Sequence, residues 1–340
     1  MSSIKYLGFL IIALFFISCS SQKMSKNSGQ NLLTYKNATT YPDWYDPAEF
    51  DTLSVVTWNI EHFVDDHNNP YIDNRREDNP AEDLENRREL LAKALKAIDA
   101  DVIIFQELES DSYLRKFADK HLGDMGYEVF AALESPDWYM NVVMMSRVPM
   151  GLFYSYAHTN TPIPGQTDDE GNPASQTFLN NRMWTADLLI NDNYQLTLTG
   201  VHLKAGRGDR NQAWREGQIN LLRSHHRLLM SQNPERNMIV MGDLNSTPDS
   251  PEFQTLLGFG STPPRYNDPL AGTGTFTHPS DSAFWRIDHI LPNEQAAAEL
   301  IPNSVEVVRP LPTGEMNAVS DHLPLRARFL TQDMPVATEN

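Results

Sequence analysis

Six apolar segments of this chain each run directly into a carboxylate, a carboxamide or an imidazole. Leu53-Ser54-Val55-Val56-Thr57-Trp58 is followed by Asn59-Ile60-Glu61-His62, and Asp101-Val102-Ile103-Ile104-Phe105 by Gln106-Glu107-Leu108-Glu109. Thr199-Gly200-Val201 leads into His202-Leu203-Lys204, and Asn237-Met238-Ile239-Val240-Met241 into Gly242-Asp243-Leu244-Asn245-Ser246. Trp285-Arg286-Ile287-Asp288-His289 and Ser320-Asp321-His322-Leu323-Pro324 complete the set. Short β-branched and apolar runs of this kind are buried strands. One polar stop is ordinary turn chemistry, because Asn and Asp favour turns. Six in succession, histidines among them, are a row of chemical groups carried to strand ends.

The intervening sequence alternates further strands with helices. Asn79-Pro80 reads as an N-cap with Pro at the first helical position, followed by Leu84, Leu91, Leu95 and Ile98 at helical spacing. Strands are expected over 127–132 and 141–146, and the segments 185–190 and 195–201 flank Asn191-Asp192-Asn193, a hairpin signal. A helix over 209–231 carries Trp214, Ile219, Leu222 and Leu229, and strands are expected over 287–291 and 323–330. Met140, Met144 and Met145 read as core. The polar stretches 65–83 and 159–176 are candidate rims of a binding face. Hairpins interrupted by helices point to an α+β protein with largely antiparallel sheets. The 340 residues, 40% of them hydrophobic and including 6 Trp, 12 Tyr and 15 Phe, can fill one large core.

The N-terminus obeys a different grammar. Lys5 precedes an apolar run over 6–17, which ends at Ser18-Cys19-Ser20-Ser21. A charged start, a short apolar stretch and small residues at its end describe an export signal, and the run is too short to span a bilayer. Phe16-Ile17-Ser18-Cys19 resembles a bacterial lipobox, in which the cysteine is acylated and becomes the mature N-terminus; the alternative is an ordinary signal peptide with an incidental cysteine. Two or more acyl chains would anchor the protein stably where one would not. Cys19 is the only cysteine, so the mature chain has no disulfide and its stability comes from the core. The expected organisation is a signal over 1–18, a flexible tether over 19–48, one domain over 49–331 and a tail over 332–340, with Tyr41-Pro42-Asp43-Trp44-Tyr45 packing against the domain. The expected location is the outer membrane or surface of a bacterial cell, and no protein partner is implied.

Charge narrows the substrate. The formal net charge is −18, and cleavage before Cys19 removes Lys5 and takes −18 to −19. Nucleic-acid binding normally rests on Lys and Arg neutralising phosphates. A long duplex footprint is therefore disfavoured, and a polyanion must be met locally, by a metal ion and a few cationic side chains. Metal-assisted phosphoester cleavage needs hard oxygen ligands, a base near an attacking water and groups that stabilise charge on the transferring phosphoryl group. The strand-end residues supply these types.

In these residues the chain resembles the endonuclease/exonuclease/phosphatase superfamily, above all in Gly242-Asp243-Leu244-Asn245 together with Ser320-Asp321-His322, and the resemblance extends over 53–330. It implies a four-layer α/β sandwich, with two mixed, largely antiparallel sheets packed face to face, helices outside and the site at one end. It implies a divalent metal, Mg2+ or Mn2+, held by Asn59, Glu107 and, as a second ligand, Asp321. Asp243 and Asn245 would orient the attacking water and bind the phosphate. His322 would meet the scissile phosphate, Asp288 would hold its other ring nitrogen, and His202 would serve as general acid for the leaving oxygen. Which group is the base stays open. Arg182 and Lys204 are candidate phosphate contacts, with Arg207 and Arg210 nearby as possible offsets to the acidic surface. Arg215 and Gln218 read as pins for their helix, Asn141 as a structural amide, His62, His278 and His289 as wall or packing, and Glu109 as outside the site.

Ser246-Thr247-Pro248 and Trp285-Arg286-Ile287-Asp288-His289 depart from the inositol phosphatase pattern, an export signal departs from intracellular abasic-site enzymes, and no clear aromatic hairpin marks a sphingomyelinase. The expected activity is that of a surface or periplasmic nuclease on DNA or RNA. The alternatives are a phosphodiesterase or phosphatase on phospholipid head groups or small phosphoesters, and an inactive binding lipoprotein.

Overall fold

The computed structural model describes residues 41–79, 82–135, 138–258 and 263–336. The expected export signal with Cys19, the expected tether up to residue 40, Pro80 and the last four residues lie outside these residues. Along the chain the strands are β1 Thr52–Phe63, β2 Val102–Leu108, β3 Val129–Ala132, β4 Asn141–Ser146, β5 Met150–Tyr154, β6 Thr161–Thr167, β7 Pro173–Gln176, β8 Met183–Asn191, β9 Tyr194–His202, β10 Asn237–Asp243, β11 Asp288–Pro292, β12 Glu306–Val307 and β13 Leu325–Leu330. The helices are α1 Arg75–Asp78, α2 Leu84–Ile98, α3 Asp111–His121, α4 Asp209–Gln232, α5 Pro251–Leu257, α6 Glu294–Glu299 and α7 Thr313–Val319.

The strands form a six-stranded sheet ordered β12-β13-β1-β2-β4-β3, a five-stranded sheet ordered β11-β10-β9-β8-β5, and the separate hairpin β6-β7. Each large sheet has a parallel pair at its centre, β1 with β2 and β9 with β10, and antiparallel pairs around it. Val55, Val102, Ile104 and Met144 of the first sheet pack against Trp184, Leu198, Ile239 and Met241 of the second. The outer face of the first sheet, with Val56, Trp58, Ile103 and Met145, is covered by Leu91 and Leu95 of α2, Phe117 of α3 and Met316 of α7. The outer face of the second, with Met183, Val201 and Val240, is covered by Ile219 and Leu222 of α4 and Phe253 of α5. Helix, sheet, sheet and helix make the expected four layers. The sheets approach closely at Gly200, where a Cβ would lie 2.9 Å from Val142 Cγ1 and 3.0 Å from the Trp184 ring.

The local expectations fail in two places. Asn79 ends α1 instead of starting α2: its backbone N–H bonds Arg75 O, and at φ −136° and ψ 79° it has left the helical region, which a residue before proline avoids. Asp83 is the N-cap of α2. The stretch 159–176 is the β6-β7 hairpin, and Gly217 lets it lie directly on α4, since a Cβ there would stand 2.4 Å from Pro162 O. Tyr45 folds against the sandwich as expected: it is buried, stacks on Phe50 at 5.0 Å and donates its hydroxyl to Ile190 O. Among the described residues no helix is long and apolar enough to cross a membrane.

Candidate active site

Strand alternation delivers the site. On β1, Leu53 and Val55 face the other sheet, so Asn59, an even number of residues further, faces it too. The same count carries Leu196 and Leu198 to His202, Ile239 and Met241 to Asp243, and Ile290 back to Asp288. Register then aligns them, with Asp243 opposite both His202 and Asp288. Four polar groups thus close one end of the apolar space between the sheets. Glu107 has the wrong parity for this. A bulge between Phe105 and Leu108, with Glu107 at φ 59°, turns it toward the others. Bulges and positive φ of this kind cost energy and gather where a side chain must be re-aimed.

Asn59 ties the two sheets together. Its Nδ2 donates to Asp243 Oδ2 at 3.0 Å and to Glu107 Oε1 at 3.2 Å, while its Oδ1 accepts from Glu61 N at 3.0 Å. His202 Nε2 stands 3.7 Å from Glu107 Oε1 and 3.8 Å from Asp243 Oδ2. Its ring is buried, which pushes its pKa down to about 4 and keeps it neutral. The loop that follows β10 is shaped by Gly242, whose φ is +144° and whose missing Cβ would sit 1.9 Å from Val201 O. Beyond it Asn245, at φ 50°, donates its backbone N–H to Asp243 Oδ1 at 2.8 Å and its Nδ2 to Leu203 O at 3.1 Å.

His322 is held from three sides. Its Nδ1 lies 2.9 Å from Asp288 Oδ2, its backbone N–H donates to Ser320 Oγ at 3.0 Å, and its carbonyl accepts from Trp58 Nε1 at 3.0 Å. Nε2 is left facing the site, 3.9 Å from both Asp243 Oδ2 and Asp321 Oδ1. Burial opposes a charge on the imidazole, but Asp288, then Asp243 and Asp321, outweigh it and raise the ring to about 10. Asp243 is pushed up to about 7 by its own burial, with the Asp288 charge adding. Asp243 and Asp288 carry like charges on either side of the single His322 imidazolium, and Asp288 Oδ1 is buried without a partner.

The remaining expected residues are placed as follows. Asp321 is half-exposed, its Oδ2 3.4 Å from His278 Nε2, and its backbone N–H donates to Glu61 Oε2. Arg182 is half-buried beside β8, near enough to Glu107 and Asp243 for both to act on its charge. Lys204 is half-buried next to Arg182, and its main chain is held by Gln218 and Arg215. Arg215 pairs with buried Glu252 at 2.8 Å and so pins α4, as expected. Asn141 is a structural amide, binding Glu109 O and Ser135 N. His289 packs on Phe253 and reaches Ser246 O.

Two histidines read as wall stand closer than that. His62 Nε2 is 3.5 Å from Glu107 Oε2, with Tyr139 Oη 2.7 Å from its Nδ1. His278 faces Asp321 and has its ring centroid 4.7 Å from that of His322. Sequence reasoning also passed over three supporting residues. Glu61 adds a carboxylate raised by burial and by the charge of Asp321. Arg87 donates to the carbonyls of Ile60, Glu61 and Val319, joining β1 to the end of α7 beside the site. Ser320 donates to Asn59 O at 2.6 Å. Glu61 follows Asn59 at strand spacing, which is a visible signal; Arg87 gives none.

Glu61, Glu107, Asp243, Asp288 and Asp321 bring five carboxylates to one edge. The ligand atoms of His278, Asp321 and His322 lie within 4.8 Å of one another, as do those of Asp243, Asp288 and His322. Hard oxygen donors in excess of nearby positive charge fit a divalent cation of the Mg2+ or Mn2+ type.

A four-layer sandwich whose sheets end together in paired carboxylates and buried imidazoles defines a metal-dependent phosphoester hydrolase. Residues 56–322 match the model of the Endonuclease/Exonuclease/phosphatase family, and the chain belongs to that family. The human Nocturnin catalytic domain with bound sulfate is similar in fold at a TM-score of 0.56 and 18% identity, covering 84% of this chain and 95% of that one. TDP2 of D. rerio complexed with single strand DNA product matches at a TM-score of 0.53 and 18% identity, over 82% of this chain and 98% of that one. A family member from Bacteroides thetaiotaomicron matches at 0.52 and 13%, over 85% and 98%. At these identities the likeness is one of fold. No curated protein matches the sequence.

Proposed function

We propose that this chain is an exported, lipid-anchored phosphodiesterase that cleaves nucleic acid, DNA or RNA, with the edge between β1, β2, β9 and β10 as its active site. The observation that carries the reading is the position of His322, fixed by Asp288 at 2.9 Å with its Nε2 facing Asp243 and Asp321. Glu107, with Asp321 as a second ligand, would hold Mg2+ or Mn2+, which when bound polarises the phosphate and offsets its charge; Asn59, expected as a ligand, turns its amide N–H2 to Glu107 and Asp243 and so positions these carboxylates unless the amide flips to present its oxygen. Asp243, anchored through Oδ1 by Asn245 N and through Oδ2 by Asn59, is the carboxylate placed to orient the attacking water and take its proton. The imidazolium of His322 stabilises charge gathering on the phosphoryl oxygens. His202 is buried and neutral, so it acts toward the leaving oxygen as a hydrogen-bond donor rather than as a strong acid. Arg182 and Lys204 add positive charge where the phosphate must approach, which a protein of net charge −18 otherwise lacks.

The exposed rings of Phe276 and Phe284 near the site favour one second reading, an enzyme of phospholipid head groups. One panel separates the two. The chain from residue 20 onward is given plasmid DNA, RNA and sphingomyelin, each with Mg2+ or Mn2+ and each with chelator. Nucleic-acid cleavage abolished by chelator is expected; lipid turnover alone selects the second reading, and activity that survives the chelator refutes the metal site. For the anchor, metabolic labelling with a fatty acid is expected in the full chain and lost in Cys19→Ala; equal labelling of both refutes it.

A further inference from the structure

A cleft of about 740 Å3 opens beside the active site, lined among others by Thr247, Gln254, Phe276, Phe284, Trp285 and Arg286. It is continuous with the site at two points. Thr247 lies two residues beyond Asn245 in the loop that follows Asp243. Trp285 forms the shared wall: His278 stacks on its ring at 5.8 Å and 5°, and His278 in turn meets His322. Arg207, from the loop after His202, lies over the Trp285 ring at 4.2 Å. Phe284 meets Trp285 edge-on at 4.3 Å. Two large rings of this cleft remain open to solvent, Phe284 at 51% and Phe276 at 43%. The fold itself has no use for that exposure.

The charge of the lining says what the cleft would accept. Arg286 is spent on Asp268, binding both of its carboxylate oxygens at 2.6 Å. Asp249 also lines the cleft, and Arg207 over Trp285 offsets it, so the wall is close to neutral. Such a wall offers no free cluster of cations to a phosphate or an anionic lipid surface and admits a neutral ring. The aromatics line a concavity instead of forming a protruding tip, which again suits a ring over a bilayer. The volume falls within the range of small-molecule sites, roughly 300–1,000 Å3.

We propose that this cleft is a nucleobase subsite: it takes the base of a nucleotide flanking the scissile phosphate, unpaired, on Phe284 and Phe276, and thereby selects single-stranded over double-stranded nucleic acid. The proposal rests on the nucleic-acid reading of the active site. Stacking is indifferent to the net charge of −18, whereas a duplex hides the faces of its bases and must be held through its phosphates. The arrangement therefore reconciles an acidic protein with a polyanionic substrate.

The test is a cycle of kcat/KM values with Mg2+ on a short oligonucleotide as a single strand, as a blunt duplex, and as a single strand with abasic residues on both sides of the cleaved phosphate. The wild type is expected to prefer the single strand to the duplex by about tenfold or more, the scale of one stacked base. Phe284→Ala and, separately, Phe276→Ala are each expected to lower single-strand kcat/KM through KM. The loss from Phe284→Ala and the loss from base removal should fail to add, because both delete one contact. Equal rates on single strand and duplex, or fully additive losses, overturn the subsite while leaving the nuclease reading intact. Failure of the wild type to cleave any of the three overturns that reading and the subsite with it. Loss of activity on sphingomyelin vesicles in Phe284→Ala, with oligonucleotide cleavage undiminished, assigns the cleft to a membrane and overturns the proposal.

Discussion

Replacing Asp288 by asparagine keeps the shape of the site and removes one charge. The Asp288 carboxylate is buried, with Oδ2 2.9 Å from His322 Nδ1 and Oδ1 without a partner. A buried hydrogen bond to a charged group contributes about 1.5–3 kcal/mol. If the imidazolium is needed in the transition state, that loss falls on turnover, and at tenfold per roughly 1.36 kcal/mol it lowers kcat by about 10- to 150-fold. Stability should fall as well, because asparagine leaves the His322 ring without its buried counter-ion, a loss partly offset by relief of the repulsion between Asp288 and Asp243. The expected result is a fall in kcat on a saturating oligonucleotide, little change in KM, and a His322 ring whose titration, followed by NMR without metal, drops from about 10 toward the ordinary 6.5. Activity within about threefold of wild type would refute the role of His322 as a charged stabiliser of the transition state.

Three other perturbations test different parts of the structure. Gly242→Ala should give no soluble folded protein, because its Cβ would meet Val201 O at 1.9 Å, while Gly314→Ala, with open space around it in α7, should raise Tm slightly; expression and circular dichroism report both. Arg215→Ala leaves Glu252 buried and unpaired and frees the carbonyls of Lys204 and Gly206, so denaturant unfolding should show a loss of about 3–5 kcal/mol. His225 and His289 are held down to about 4 by burial, and buried His226 lies well below the ordinary 6.5. Between pH 6.5 and 4 the unfolded chain binds protons that these rings refuse, so their contribution to stability is full above 6.5 and is lost as pH drops toward 4, while Asp243, raised to about 7, acts in the opposite sense; the Tm advantage of wild type over His289→Gln should therefore shrink across that window, and a constant advantage contradicts burial of His289 as a neutral ring.

Much of the site was legible because strand periodicity is a sequence property. Asn59, His202 and Asp243 continue the alternation of the apolar residues before them, and Asp288 that of Ile290 after it, so a reader of the sequence sees both. Glu107 was legible only through the family pattern, since alternation points it away and a bulge brings it back. His278 was read as wall or packing; it does stack on Trp285, and the same loop also carries it to Asp321 and His322, a tertiary event with no local period. The β6-β7 hairpin was hidden for a similar reason: it is polar, and it is stabilised by lying on α4 at Gly217 instead of joining a sheet. Asn79-Pro80 carried a true helix signal of the wrong sign, because proline marks the end of one helix as readily as the start of the next.

The most direct measurement is kcat/KM of Asp243→Asn against wild type on a single-stranded oligonucleotide with saturating Mg2+. Asp243 touches the Asn59 amide and has Nε2 of both His202 and His322 within 4 Å, so it stands between the groups assigned to the leaving oxygen and to the phosphoryl charge. A loss of about a thousandfold or more is expected, on the scale of removing a group that acts in the transition state, with Tm unchanged or higher. An Asp243→Asn enzyme that cleaves at the wild-type rate would contradict the proposed chemistry.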